Sequence, residues 1–414
     1  MELITFFIYT SIYIGLIATT FYILTYTSAR EQEPLFTDKE LPKVSILIPA
    51  YNEESSIKRT VQSILKSDYP KNKFEIFVID NNSKDKTLEI ARNLAKNNKQ
   101  LKVLTELKQG KGCALNKGIS KAKGDIIFTM DADTSVHSQS LKKMTRYFKD
   151  AKVFSVTPGM VIDNPKNLLQ RIQYTEYLLG LFLRKTFSLL NAIYITPGAF
   201  SAYRKSFFDK YGGYDENNIT EDLEISLRIQ FNGYKIANVP DAPAYTIAPS
   251  KFSHLLNQRK RWYVGLIKNT WKYKKIISPK YGDMGMFVMP IAWISIFFSV
   301  FITIYLFINT LINVKNEFLF LQNINYDFSN FFTLNLFFFE RLFFKLATNT
   351  ILIFVLMFVI VLGIYLYYAR KKVGKLHTPF FNLVLFFIFF AILFGFWWVI
   401  SIMYVLFNKG VKWK

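Results

Sequence analysis

The sequence predicts an α/β domain with a mostly parallel sheet, joined to an α-helical membrane region of about four spans with interfacial helices. Three observations carry this. Short β-branched apolar runs alternate with helical periodicity from Lys43 to Met130. The ends of those runs collect acidic residues, as in sheets that bind ligands outside the carboxyl ends of their strands. Long uncharged apolar runs lie before and after this region, at Leu3–Tyr26, Met284–Thr310, Leu346–Tyr368 and Pro379–Phe407. Each reaches or exceeds the roughly 20 residues that cross a bilayer.

The first run has no basic stretch ahead of it and no clear small-residue cleavage site, and it reads as an anchor rather than a removed leader. The last run is long for one span, compatible with tilt or a re-entrant piece. Arg30, Lys39 and Lys43 follow the first run. Lys268, Lys272, Lys274, Lys275 and Lys280 precede the second, and Arg370, Lys371, Lys372 and Lys375 separate the last two. With four spans these groups fall on one side, which places the α/β domain in the cytoplasm and the N-terminus outside; Lys409, Lys412 and Lys414 run against that rule. The 52 Lys and Arg against 30 Asp and Glu thus reflect membrane topology and anionic lipid rather than nucleic acid. Cys113 is the only cysteine and there are three His, which excludes a disulfide within the chain and argues against a zinc enzyme.

The reading divides the chain into an N-terminal membrane helix (1–28), a soluble domain (39–248), an amphipathic interface region (249–280) and a C-terminal membrane region (281–414). Lys43–Ala50 is the first strand, with Tyr51-Asn52-Glu53-Glu54 at its end. Ser55 or Ser56 is placed to cap a helix carrying Ile57, Val61, Ile64 and Leu65. Asp68-Tyr69-Pro70 breaks that helix. Phe74–Ile79 is the second strand, running into Asp80-Asn81-Asn82-Ser83-Lys84-Asp85. A helix begins at Thr87, and Leu101–Thr105 is the third strand. Lys108–Gly112 is a basic glycine loop, followed by a short helix over Ala114–Ala122. Two basic amphipathic stretches follow later, Leu168–Lys185 and Phe252–Lys272, suited to the membrane interface. Asn313–Lys345 is compatible with an external loop, an interfacial helix or a re-entrant piece.

The chemistry centres on Gly124–Thr134, GDIIFTMDADT. Its apolar run is a buried strand ending in Asp131-Ala132-Asp133. Two carboxylates one residue apart can hold a hard divalent cation, Mn²⁺ or Mg²⁺, with a nucleoside diphosphate supplying further oxygens. Glu53, Asp80 and this pair converge on one sheet edge, which suits a nucleotide-sugar: a carboxylate accepts from a base N–H and another from ribose hydroxyls. No GxGxxG or GxxxxGK[ST] is present, which argues against a dinucleotide fold or a P-loop NTPase.

From Lys43 to Trp271 the chain resembles the family 2 glycosyltransferases of the GT-A fold, a Rossmann-like architecture, and is most similar to the membrane-embedded branch that makes hyaluronan, chitin, cellulose and poly-N-acetylglucosamine. The resemblance rests on Pro49-Ala50-Tyr51-Asn52-Glu53, on Asp80–Asp85, on Asp131-Ala132-Asp133, on Thr220-Glu221-Asp222 and on Gln258-Arg259-Lys260-Arg261-Trp262. Asn81 and Asn82 stand where the second motif ordinarily has Asp and Gly, and the arginine that often follows the last motif is absent. The resemblance implies that Ala50, Tyr51, Glu53 and Asp80 hold the nucleoside, with Asp80 on uracil and Glu53 on the ribose or base. It implies that Lys111 approaches the diphosphate, Asp131 the sugar-phosphate and Asp133 the metal. Asp222, beside Glu221, is then the general base, and Arg261 steadies the leaving diphosphate. Gln258 and Trp262 line the acceptor or diphosphate side, and Gly198 and Tyr203 shape the acceptor floor.

The implied activity is inverting, metal-dependent transfer from a UDP-sugar to the hydroxyl of a growing polysaccharide, on the cytoplasmic face of a multi-pass cell-membrane protein. The alternatives are a single transfer to a polyprenyl-phosphate or other lipid-linked acceptor and, more remotely, an inactive scaffold or channel subunit. Donor sugar and oligomeric state stay open.

Overall fold

A computed structural model describes residues 2–29, 37, 40–323, 326, 340, 343–344, 350–373 and 380–410. Arg30, Lys39, Lys375, Lys412, Lys414 and most of the segment between Asn323 and Thr350 lie outside the described residues.

The core is an eight-stranded sheet in the order β3-β2-β1-β4-β7-β6-β8-β5. Its parallel half is the one that the apolar runs predict: β1 (Val44–Ala50), β2 (Phe74–Asp80), β3 (Leu101–Thr105) and β4 (Ile126–Met130). β1 pairs in parallel with β2 and β4, and β2 with β3. β1 is buried throughout, as a strand covered on both faces must be. The connections are α2 (Ile57–Leu65), α3 (Thr87–Lys96) and α4 (Lys111–Lys121). Ile46 and Ile48 pack on one side with Ile57, Val61 and Ile64 of α2. Leu47, between them, packs on the other with Leu115 and Ile119 of α4.

The other half corrects the expectation of a mostly parallel sheet. β5 (Ser135–Val136), β6 (Val153–Ile162), β7 (Phe200–Arg204) and β8 (Lys235–Thr246) make the sheet mixed. β7 runs antiparallel to both β4 and β6, and β5 antiparallel to β8, while β6 and β8 are parallel. β7 enters after the loop 190–199 and lies directly against β4, carrying the 190s loop to the end of the central strand. α5 (Ser140–Arg146) and α7 (Lys205–Tyr211) are short connections.

α6 (Leu168–Leu189) begins with a capping box in which Asn167 accepts from Gln170 N, satisfying donors that a helix start leaves free. Its Leu178, Leu181 and Phe182 are buried, each contributing roughly 1.5–3 kcal/mol. α6 lies between the sheet and the apolar helices: Phe182 stacks on Tyr365 with centroids 4.1 Å apart, and Phe187 meets Tyr22. α8 (Glu221–Phe231) and α9 (Phe252–Lys272) complete the domain.

Among the described residues, two helices are long and apolar enough to cross a membrane, Ile4–Ser28 within α1 (Glu2–Ser28) and Met284–Asn323. The latter starts with a π turn, Met284–Val288, and continues as α10 (Met289–Asn323), past the predicted end at Thr310 into the segment that composition left open. The last two apolar runs are helical as α11 (Thr350–Val373) and α12 (Phe380–Leu406). Among the described residues they offer only the shorter apolar helices Val359–Tyr368 and Leu393–Leu406.

Candidate active site

The carboxyl ends of β1, β2 and β4 lie side by side, Ala50 level with Asp80. Ala50 is buried and offers the site only its backbone; its carbonyl accepts from Asn81 N. Asp80 is 2 % exposed. Its Oδ2 accepts weakly from Ser83 N at 3.4 Å, and its Oδ1 is buried without a partner. A buried carboxylate oxygen left unpaired is costly, and among the described residues none supplies Asp80 Oδ1 with a donor.

The turn after Asp80 explains the two departures from the usual motif. Asn82 has φ 63°, a left-handed conformation that Asn tolerates better than other side chains and that Gly would otherwise fill. Asn81 donates to the carbonyls of Glu106 and Lys108 and accepts from Gly110 N. It thereby fixes the glycine loop that delivers Lys111 to the first position of α4. Asp85 holds Thr87 and the Glu54 amide, a structural role. Ser56 occupies the N-cap of α2 but makes no side-chain cap; its hydroxyl donates to Glu53 Oε2 at 2.7 Å instead. Tyr51 is half-buried beside them.

Lys111 links the separated motifs. Its Nζ lies 2.7 Å from Asp131 Oδ1 and 3.3 Å from Glu221 Oε1, and donates to Gly198 O at 3.2 Å. Burial works against its charge, but Asp131, Glu221 and Asp222 outweigh this and hold its pKa above the usual lysine range. Asp131 and Asp133 flank the buried Ala132, whose carbonyl accepts from Thr60. Arg59 donates to Asp133 O, so α2 clamps the acidic turn. Among the described residues no three His, Cys, Asp or Glu converge on one metal position. Asp131 and Asp133 offer carboxylate oxygens, a donor type that suits a hard cation completed by diphosphate oxygens.

Asp222 sits in the first turn of α8. Its Oδ2 accepts from Gly198 N and its Oδ1 from Leu223 N, each at 2.9 Å. Burial and the neighbouring Glu221 push its pKa up to about 6, against Lys111, Arg261 and the Leu223 amide, which favour the charged form. Arg261 thus approaches Asp222 from α9. Gln258 and Trp262 are half-buried on the same helix. Gly198, expected on the acceptor floor, lies against Asp222, to whose Oδ2 its amide donates. Tyr203 is not on the floor but beneath it: it is 0 % exposed, its hydroxyl meets Thr196 Oγ1 at 3.0 Å and its ring abuts Phe208 and Tyr214. β7 is covered on both faces, so alternation along it does not lead to the surface.

Two features escape the sequence reading. Arg259 makes a bidentate pair with Glu176 of α6, at 2.5 and 2.7 Å, and is 2 % exposed. Its guanidinium also faces the rings of Trp262 and of Trp397 from α12. Asn269, one residue beyond Lys268, reaches the start of α8. No local signal marks either, since the partners lie far apart in sequence.

Residues 42–265 match the family model described as glycosyltransferase like family 2. The poly-β-1,6-N-acetyl-D-glucosamine synthase of Staphylococcus aureus (strain COL) is 32 % identical over 275 residues, 64 % of this chain and 66 % of the relative. That of Staphylococcus epidermidis is 32 % identical over 248 residues, 58 % and 60 % of the two chains. The alignment thus spans just under two thirds of these curated relatives. A mannosyltransferase from Pyrobaculum calidifontis, solved with GDP-Man and Mn²⁺, superimposes with a TM-score of 0.56 at 22 % identity, covering 65 % of this chain and 74 % of that one. The fold is therefore that of a GT-A glycosyltransferase, and the chain belongs to glycosyltransferase family 2.

Proposed function

We propose that the protein moves a sugar from a UDP-sugar to the hydroxyl of a growing polysaccharide, with inversion at the anomeric carbon. One observation carries the reading: Lys111 joins Asp131 to Glu221 beside Asp222, 2.9 Å from the Gly198 amide. Three motifs distant in sequence thus meet at the edge where Asp80 keeps an unpaired acceptor.

Asp80 Oδ1 accepts from the uracil N–H, and Glu53 and Tyr51 border the ribose. Asp222 takes the proton of the acceptor hydroxyl as that oxygen bonds to the anomeric carbon and the bond to the diphosphate breaks. UDP departs with the bonding pair. Asp131 and Asp133 would hold Mn²⁺ or Mg²⁺, which when bound neutralises the diphosphate. Lys111, released from Asp131, and Arg261 pair with the charge gathering on the leaving group. Gln258 and Trp262 border the acceptor, Trp262 with a flat face for a sugar ring.

The poly-N-acetylglucosamine synthases among the relatives support a polymer product and an N-acetylglucosamine donor. The apolar helices and the basic clusters beside them support a multi-pass protein with its catalytic domain in the cytoplasm. The small membrane part supports a second reading, a single transfer to a lipid-linked acceptor. The test is a panel of UDP-sugars with the product sized by gel. A polymer from one or two donors supports the first reading. A single added sugar, formed only with a lipid-linked acceptor, replaces it with the second.

A further inference from the structure

α9 does more than carry Arg261 and Trp262. Its residues 261, 265, 269 and 272 recur at helical spacing and lie on one face. That face meets the start of α8, where Asp222 stands. Thr220 is the N-cap of α8 but makes no side-chain cap. Its hydroxyl oxygen accepts from Asn269 Nδ2 at 2.9 Å. Asn269 and Asn218 exchange side-chain hydrogen bonds, at 2.7 and 3.2 Å, and Asn218 Oδ1 also accepts from Thr220 N. Gly265 leaves the space for this approach: a Cβ there would lie 2.1 Å from Thr220 Oγ1. One turn on, Lys272 and Tyr273 both reach Glu224, which is buried and paired with Arg228.

The N-terminus of α8 therefore lacks the cap that its own Thr could provide, and a side chain from another helix holds that Thr instead. We propose that Asn269 is a positioning residue for the catalytic base: with Gly265 it clasps Thr220 and sets the first turn of α8, so that Asp222 faces Arg261 at a fixed distance. Asn269 is 1 % exposed, so it acts through Thr220 and through Asn218, which itself accepts from Thr220 N. The inference rests on Asp222 being the base.

The test uses the full chain in lipid nanodiscs, with Asn269→Ala, Thr220→Val, Thr220→Ser and the double variant Asn269→Ala/Thr220→Val. Asn269→Ala lowers kcat by about 30-fold, because a base displaced by a fraction of an ångström loses its attack geometry. Donor KM stays within about threefold and UDP binds at the wild-type stoichiometry. Thr220→Val does much the same, Thr220→Ser restores most of the rate, and the double variant is no worse than Asn269→Ala, which already removes the shared contact. Amide exchange at Leu223 and Glu224 rises by about tenfold in Asn269→Ala while β1 and β2 stay protected. UDP stoichiometry falling in step with kcat would make Asn269 a merely structural residue and overturn the proposal. So would unchanged exchange at Leu223 and Glu224, whatever the rates. If the wild type releases no UDP from any UDP-sugar, the donor reading fails, and the exchange measurement still decides the clasp.

Discussion

Replacing Gly198 by Ala probes the proposed base, Asp222, through a single methyl group. The new Cβ would lie 2.6 Å from Asp222 Oδ2 and 2.9 Å from Lys111 Nζ. The carboxylate must retreat by roughly 0.8 Å to regain ordinary contact. It has little freedom to do so, because Gly198 N and Leu223 N hold its two oxygens. Retreat breaks the first of these bonds, a charge-assisted one worth about 1.5–3 kcal/mol. A misplacement of this size costs on the order of 100-fold in rate, or about 2.7 kcal/mol of barrier. The expected result is kcat lowered by about 100-fold, with a smaller rise in donor KM from the displaced Lys111. Steady-state UDP release at several donor concentrations reads both constants, and thermal unfolding reports the fold. A kcat within about threefold of wild type, in a variant that unfolds normally, would refute the reasoning, because Asp222 would then not be the proton acceptor.

Asp222 must be ionised to act as the base, so kcat/KM should fall about tenfold per pH unit below about 6. Glu221→Gln removes a negative neighbour, eases ionisation of Asp222 and should move that midpoint down; an upward shift or none would contradict the assignment. Glu176→Gln leaves the Arg259 charge buried without its partner and should cost about 3 kcal/mol in unfolding free energy. Replacing both residues by Leu should recover most of that loss. Asp80→Asn should weaken UDP binding by about 10- to 100-fold in calorimetry, with little change in thermal stability.

The parallel half of the sheet is legible because each of its strands is an unbroken apolar run ending in polar residues. β6 and β8 are not legible, because Pro158, Gly159, Pro240 and Pro243 interrupt them. The two strands tolerate this by shifting register between Pro158 and Gly159. Gly159 is required at that point, where a Cβ would lie 2.2 Å from Pro240 O. Without those strands the sheet reads as parallel, and Tyr203, placed near the acceptor by the resemblance alone, is instead enclosed between β4 and β6. The acidic motifs are visible as motifs, but their meeting around Lys111 is a product of the fold: Asp131 follows β4, Lys111 opens α4, and Glu221 opens α8 after antiparallel β7 has brought the chain back. The Arg259–Glu176 pair is likewise hidden. In sequence, Arg259 is one of several cations on an amphipathic helix. Only its pairing with Glu176 of α6 and the packing of α9 on α12 separate it from the exposed ones, such as Lys268, while Trp271 stays 73 % exposed.

The central claim is that Asp222 accepts the proton in transfer from a UDP-sugar. UDP release by the purified protein, with Mn²⁺ or Mg²⁺ and then with a chelator, in wild type and in Asp222→Asn, tests it most directly when UDP binding is measured in parallel. The account predicts metal-dependent release that falls by about 1,000-fold or more in Asp222→Asn while UDP still binds. Release at the wild-type rate by Asp222→Asn would contradict the account, as would a wild type that binds UDP but turns over no UDP-sugar.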